Sequence, residues 1–173
     1  MSNFVYGYAI IDNGVESVFD IKKILELKYS IGIYIIDNDE LIGFPDEKLP
    51  PKEAFKFMIG DNKKSKNAQK LIDLWDYDPD ASGIELPVNG KQRLKILTDC
   101  INDLFTLFNA TKVFLAITDW DELEEEKYLS RGSLYKTLLN DCDLHSPFPS
   151  CLYIIDGEMK SQCRAVPKEK GAK

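Results

Sequence analysis

The chain has 173 residues, 44% of them hydrophobic and 11% aromatic. That excludes a disordered polymer and is long enough to bury a core without staples. Twenty-nine acids against 22 Lys and Arg give a net charge of −7 and a pI near 4.8, which argues against nucleic acid as a direct ligand.

In chain order, Phe4–Ile11 predicts a strand. Asn13 and Glu16 then make a capping-box pattern ahead of a helix to about Lys28, with Val18, Ile21 and Leu25 on one face. Ile31–Ile36 predicts a second strand, Asp37-Asn38-Asp39 a turn, and Leu41–Phe44 its hairpin partner. Pro51 suits the first turn of a short helix through Met58. Gly60-Asp61-Asn62 separates that helix from a lysine-rich one ending near Trp75, and Asp76–Asn89 reads as an exposed connecting loop.

The densest apolar stretch is Lys91–Thr118. Leu94, Leu97, Ile101, Leu104 and Phe108 recur at helical spacing, widened by Ile96, Cys100, Phe105 and Leu107, with Asn89 and Gln92 as the expected cap. A buried strand follows at Val113–Ile117. Trp120–Leu129 predicts a helix, and Ser130 is placed to cap another with Leu134, Leu138, Leu139 and Cys142 inward. Cys151–Ile155 is the last predicted strand, and Asp156-Gly157 a hairpin turn into Met159–Val166. These elements predict an α/β or α+β fold: a single mixed sheet of about five to six strands flanked by helices, with edge hairpins. One globular domain is expected over 1–167, with 168–173 as a frayed basic tail.

No apolar run approaches the roughly 20 residues of a membrane span. Met1–Gly7 carries no basic region that would open a signal peptide. The four cysteines, at 100, 142, 151 and 163, lack paired metal or redox spacing. The expected setting is cytoplasmic, with thiols free and no cofactor.

Four strands end alike, in Asp12, Asp37, Asp119 and Asp156. On parallel neighbouring strands these carboxylates would gather at one sheet edge and could hold Mg²⁺ for phosphoryl chemistry, a metal-dependent phosphohydrolase or nuclease. Turn and cap chemistry already accounts for all four, which makes the structural reading the preferred one. The only histidine, His145, stands in a Leu-His-Ser-Pro loop with no nucleophile elbow, and no phosphate-binding glycine motif occurs.

Charge is unevenly placed. Leu71–Gly90 holds five acids and no Lys or Arg, Asp119–Glu126 holds six acids in eight positions, and the rest of the chain carries +4, part of it in the seven lysines of Lys48–Lys70. Both tryptophans lie in the acidic stretches: Trp75 with Asp76, Tyr77 and Asp78, and Trp120 with Asp119, Asp121, Glu122 and Glu125. Aromatic anchors ringed by carboxylates suit a basic protein partner, steered by charge and held by the rings. The alternative is structural: acids stabilising a helix start and coating its outer face.

In size, acidity and these aromatic-acid stretches, the chain resembles the immunity proteins of bacterial polymorphic toxin systems, including contact-dependent growth inhibition. The resemblance implies a small cytosolic α/β or α+β domain without catalysis, which binds and blocks one cognate toxin domain, often a basic nuclease. The lysine-rich segment departs from a uniformly acidic inhibitor. A structural subunit or adaptor, using the same patches for assembly, is the third expectation.

Overall fold

Six short runs of alternating side chains build one mixed sheet in the computed structural model, which describes residues 4–12, 17–60, 86–118, 122–144 and 149–157. The strands are β1 (Phe4–Ile11), β2 (Gly32–Ile35), β3 (Phe55–Gly60), β4 (Ala110–Thr118), β5 (Glu125–Ser130) and β6 (Cys151–Asp156), in the order β2-β3-β1-β4-β6-β5. All neighbours are antiparallel except β5 and β6, which are parallel. With three helices among the described residues, α1 (Val18–Tyr29), α2 (Leu86–Leu107) and α3 (Leu134–Leu144), this is an α+β fold.

The period-two pattern divides each strand between two cores. Val5, Ala9, Ile33, Phe55, Phe57, Ile59, Val113, Leu115, Ile117, Tyr153 and Ile155 face the helices. They meet Ile21 and Leu25 of α1, the stripe of α2 from Leu94 to Phe105 with Phe108 just beyond its end, and Leu134 and Leu138 of α3. Each large side chain removed from water there contributes about 1.5–3 kcal/mol. Ser17 opens α1 by accepting from the Asp20 amide at 3.3 Å. Asn109, at φ 52°, occupies the left-handed region that asparagine tolerates and turns the chain from α2 into β4. Among the described residues no helix is long and apolar enough to cross a membrane.

Three expectations are corrected. Pro51–Met58 is not a helix: Phe55, Phe57 and Ile59 face one core while Lys56 and Met58 face the other side, so the run enters β3 at Phe55. Trp120–Leu129 is not helical over its described part, because Glu125–Ser130 pairs along β6 as β5. The antiparallel partner of β2 is β3 rather than Leu41–Phe44. In addition, α2 starts at Leu86, which places Asn89 inside the helix instead of at its cap. The lysine-rich segment after Gly60 and the turn partner Met159–Val166 lie outside the described residues.

The opposite face of the sheet carries Tyr6, Tyr8, Phe114, Ala116, Leu152 and Ile154, and no helix among the described residues covers it. Residues 36–54 do so, as a strap with two short 3-10 turns, laying Ile36, Leu41, Phe44 and Ala54 on those side chains. Tyr6 and Tyr8 donate to the strap carbonyls of Ile42 (2.7 Å) and Lys48 (2.6 Å). The Phe44 ring tilts against both tyrosines, with centroids 5.9 and 6.0 Å away. At its far point the strap reaches β5, where the Lys48 ammonium bonds the Tyr128 hydroxyl (2.9 Å) and pairs with Glu126 (3.3 Å).

Candidate functional site

The chain approaches the outer edge of the sheet at Glu122–Glu124. Leu123 packs beneath, against the strap-side core, and leaves Glu122 and Glu124 exposed on either side of it. The amides of Glu124 and Glu125 both donate to the Ser150 carbonyl (2.9 and 3.2 Å), which starts the parallel pairing of β5 along β6. Glu125, Lys127 and Leu129 then fall on the helix side of the sheet, and Glu126 and Tyr128 on the strap side. The result is an edge bearing four exposed glutamates within five positions, with the Tyr128 ring 59% exposed beside them.

Among the described residues, one of these carboxylates is held in a salt bridge. Glu126 accepts from the Tyr128 hydroxyl at 2.7 Å, and that bond, followed by Lys48, holds its carboxyl below the ordinary range against the opposing effect of burial. Lys48 is raised in turn, first by Tyr128 and then by Glu126, and sits 5.5 Å from the centroid of the Tyr128 ring. Glu122, Glu124 and Glu125 make no ion pair among the described residues. On the helix side Lys127 turns inward instead, both Asp141 carboxylate oxygens accepting from it at 2.8 Å. The basic residue of the strand therefore serves the core, and the acidic ones face water.

Two buried acids anchor the scaffold behind this edge. Asp141 also accepts from Tyr153 at 2.7 Å, and Asp103 accepts from Lys28 and Tyr29, both at 2.6 Å. Burial pushes the Tyr8 phenol up from 10.0 to about 12 and the Cys151 thiol up from 9.0 to about 12. Burial also raises Tyr29, Tyr153 and Cys100, reinforced by Asp103 at Tyr29 and by Asp141 at Tyr153. In each case the folded state retains a proton that the unfolded chain releases, so the contribution is complete below the unfolded pKa and is lost as pH rises toward the folded one. The urea midpoint should hold level to about pH 8.5 and fall steadily through about pH 10–12. A midpoint still level at about pH 11 would contradict the burial of these phenols and thiols.

The strand-end aspartates do not gather. β1, β2 and β6 run one way and β4 the other, so Thr118, beside Phe4, ends β4 at the edge of the sheet opposite Ile11. Asp119 itself lies outside the described residues. β2, β1 and β6 are separated by β3 and β4, so Asp37, Asp12 and Asp156 are spread over four strand spacings, about 19 Å, too wide for one ion. Asp156 lies 4.0 Å from the Lys112 ammonium. Among the described residues, one carboxylate trio lies within 4.8 Å: Asp37, Asp39 and Glu40. All three are exposed, and Glu40 is engaged as a local cap, accepting from the Asp37 amide at 2.8 Å.

Of the predicted partner-binding residues, Glu122 and Glu125 stand on the acidic edge. Trp75, Asp76, Tyr77, Asp78, Asp119, Trp120 and Asp121 lie outside the described residues, as does His145. The strand also brings in Glu124, Glu126 and Tyr128, with Lys48 from the strap. A pocket of about 300 Å³ beside the returning strap, lined by Ile10, Ile11, Pro51, Glu53 and Ala54, offers a single side-chain carboxylate and no converging polar side chains. No protein-family model, curated protein or solved structure matches the chain.

Proposed function

We propose that this chain is an acidic binding protein that neutralises a basic protein partner, and specifically an immunity protein that blocks a cognate toxin domain of nuclease type. One observation carries the reading: Glu122, Glu124 and Glu125 stand together at a sheet edge with no salt bridge among the described residues, while the one lysine of that strand is committed to Asp141 in the core. Three exposed carboxylates at the start of a paired strand create a field that accelerates encounter with a cationic surface, and a partner's Lys or Arg would pair with them. A nuclease active site, built to hold phosphates, has a surface of this complementary sign.

The partner is to be purified with the protein from its native host and the association rate measured across a salt series. Replacing Glu122, Glu124 and Glu125 together with glutamine should slow association by about tenfold or more at low salt, with the deficit shrinking as salt is added. An on-rate indifferent both to salt and to the triple replacement would remove the electrostatic basis of the proposal. If the partner is a nuclease, its activity should fall on stoichiometric addition of the protein.

A further inference from the structure

The two edges of the sheet differ in what their outward peptide groups do. On β2, the Ile33 amide that points away from β3 donates to the Glu26 carboxylate at 2.9 Å, so α1 engages that edge at Ile33. On β5, the bond from the Glu125 amide to Ser150 sets the phase of the parallel ladder. The peptide groups of Glu125, Lys127 and Leu129 therefore face β6, and those of Glu126 and Tyr128 face outward. Among the described residues these outward donors and acceptors have no hydrogen-bond partner. Such a row is a template for another strand.

Charge decides which strand it takes. An antiparallel second copy overlapping β5 fully would set Glu126 opposite Tyr128 and Glu125 opposite Leu129, which leaves the glutamates without a cationic partner across the pair. A basic strand would be favoured at the same positions. The strap shows what chemistry this edge accepts, since Lys48 already lies against Glu126 and over the Tyr128 ring.

We infer that the outer edge of β5 receives an extended, lysine- or arginine-bearing segment of the partner as an added strand. Backbone pairing at Glu126 and Tyr128 fixes its register, and Glu122, Glu124 and Glu125 select its charge. This rests on the acidic-binding reading and gives it a docking mode.

The probe is a short capped peptide alternating lysine with valine and threonine, beside a twin N-methylated at alternate amides. The twin keeps the charge and loses the ability to pair. Saturation with the first peptide should slow amide exchange at Glu126 and Tyr128 by about tenfold or more, and the twin should bind about tenfold more weakly. Tyr128→Pro deletes the outward N–H without touching the ladder to β6, an arrangement sheet edges tolerate. It should bind the first peptide about tenfold more weakly than Tyr128→Ala, with an unchanged circular dichroism spectrum. Equal binding of both peptides would overturn strand addition while leaving the acidic reading standing, since that reading is judged by the salt series with the native partner. No binding at about 1 mM would likewise overturn it. So would a doubled solution mass of the free protein with these two amides already slowed, which would assign the edge to a second copy.

Discussion

Asp141→Ala should lower the free energy of unfolding by about 3–5 kcal/mol, the range for removing one partner of a buried pair. Asp141 is 3% exposed on α3, and its carboxylate serves two donors from two strands: Lys127 of β5, at 2.8 Å from both oxygens, and Tyr153 of β6, at 2.7 Å. Alanine would leave an ammonium that is 71% covered and a fully buried phenol without their acceptor. Water reaches Lys127 in part but not Tyr153, so most of the loss should come from the phenol and the vacated space. Against a total stability of roughly 5–15 kcal/mol this is a large fraction. A second variant separates charge from packing. Lys127→Met combined with Asp141→Leu removes both charges and should recover most of the loss, because an apolar pair of similar volume replaces a costly ionic one. Urea denaturation of both variants measures this. A single replacement costing less than about 1 kcal/mol would mean that the carboxylate is hydrated rather than buried.

The elements legible in the sequence were those whose side-chain period agrees with their local composition. α2 and β4 are long enough, and apolar enough, that Leu94, Leu97, Ile101, Leu104 and Phe108 admit one periodicity, and Val113–Ile117 another. β3 and β5 lose that agreement. Proline at 51 and the glutamates at 122 and 124–126 favour a helix locally, whereas the strands follow from pairing with residues far away, Tyr6 opposite Met58 and Tyr153 opposite Lys127. The strap was illegible for the same reason. Nothing near Lys48 in the chain announces that its ammonium will meet Tyr128, 80 residues on.

The acidic edge was half legible. Charge alone singled out Glu122 and Glu125, but a helix would have dispersed the glutamates around a cylinder, and the strand instead sorts them onto two sides of one edge. A period-two reading of Glu125–Ser130, with Lys127 and Leu129 on one side and Glu126 and Tyr128 on the other, is the signal that finds β5 and with it the outward peptide groups. The aspartate recurrence misled in the opposite way. Identical strand endings suggest one shared corner only when the strands are parallel neighbours, and the order β2-β3-β1-β4-β6-β5 makes none of those four strands adjacent and parallel.

The same close pairing makes Gly7→Ala more damaging than the same change at Gly132 or Gly157. Gly7 lies in β1, between β3 and β4, opposite Phe57 and Leu115. A Cβ there would stand 2.0 Å from the Phe114 carbonyl oxygen, 3.0 Å from its carbon and 3.1 Å from Leu115 Cα. All three are backbone atoms, so no rotamer change relieves the overlap. β4 would have to move away from β1, and β6 and β5 beyond it would have to follow or part from it. Ordinary overpacking costs about 1–3 kcal/mol; with three backbone atoms of β4 in the way the expected loss is about 4 kcal/mol or more, the exceptional end for point replacements. Two other glycines calibrate the measurement. Gly132→Ala meets nothing within 4 Å and should stay within about 0.5 kcal/mol of the parent. Gly157→Ala meets Phe105 Cδ1 at 2.8 Å, a side chain with some room to yield, and should fall between them. Urea midpoints for the three variants give the order directly. A Gly7→Ala protein as stable as Gly132→Ala would mean that β1 and β4 do not approach this closely, and the register carrying β6 and the acidic edge would have to be redrawn.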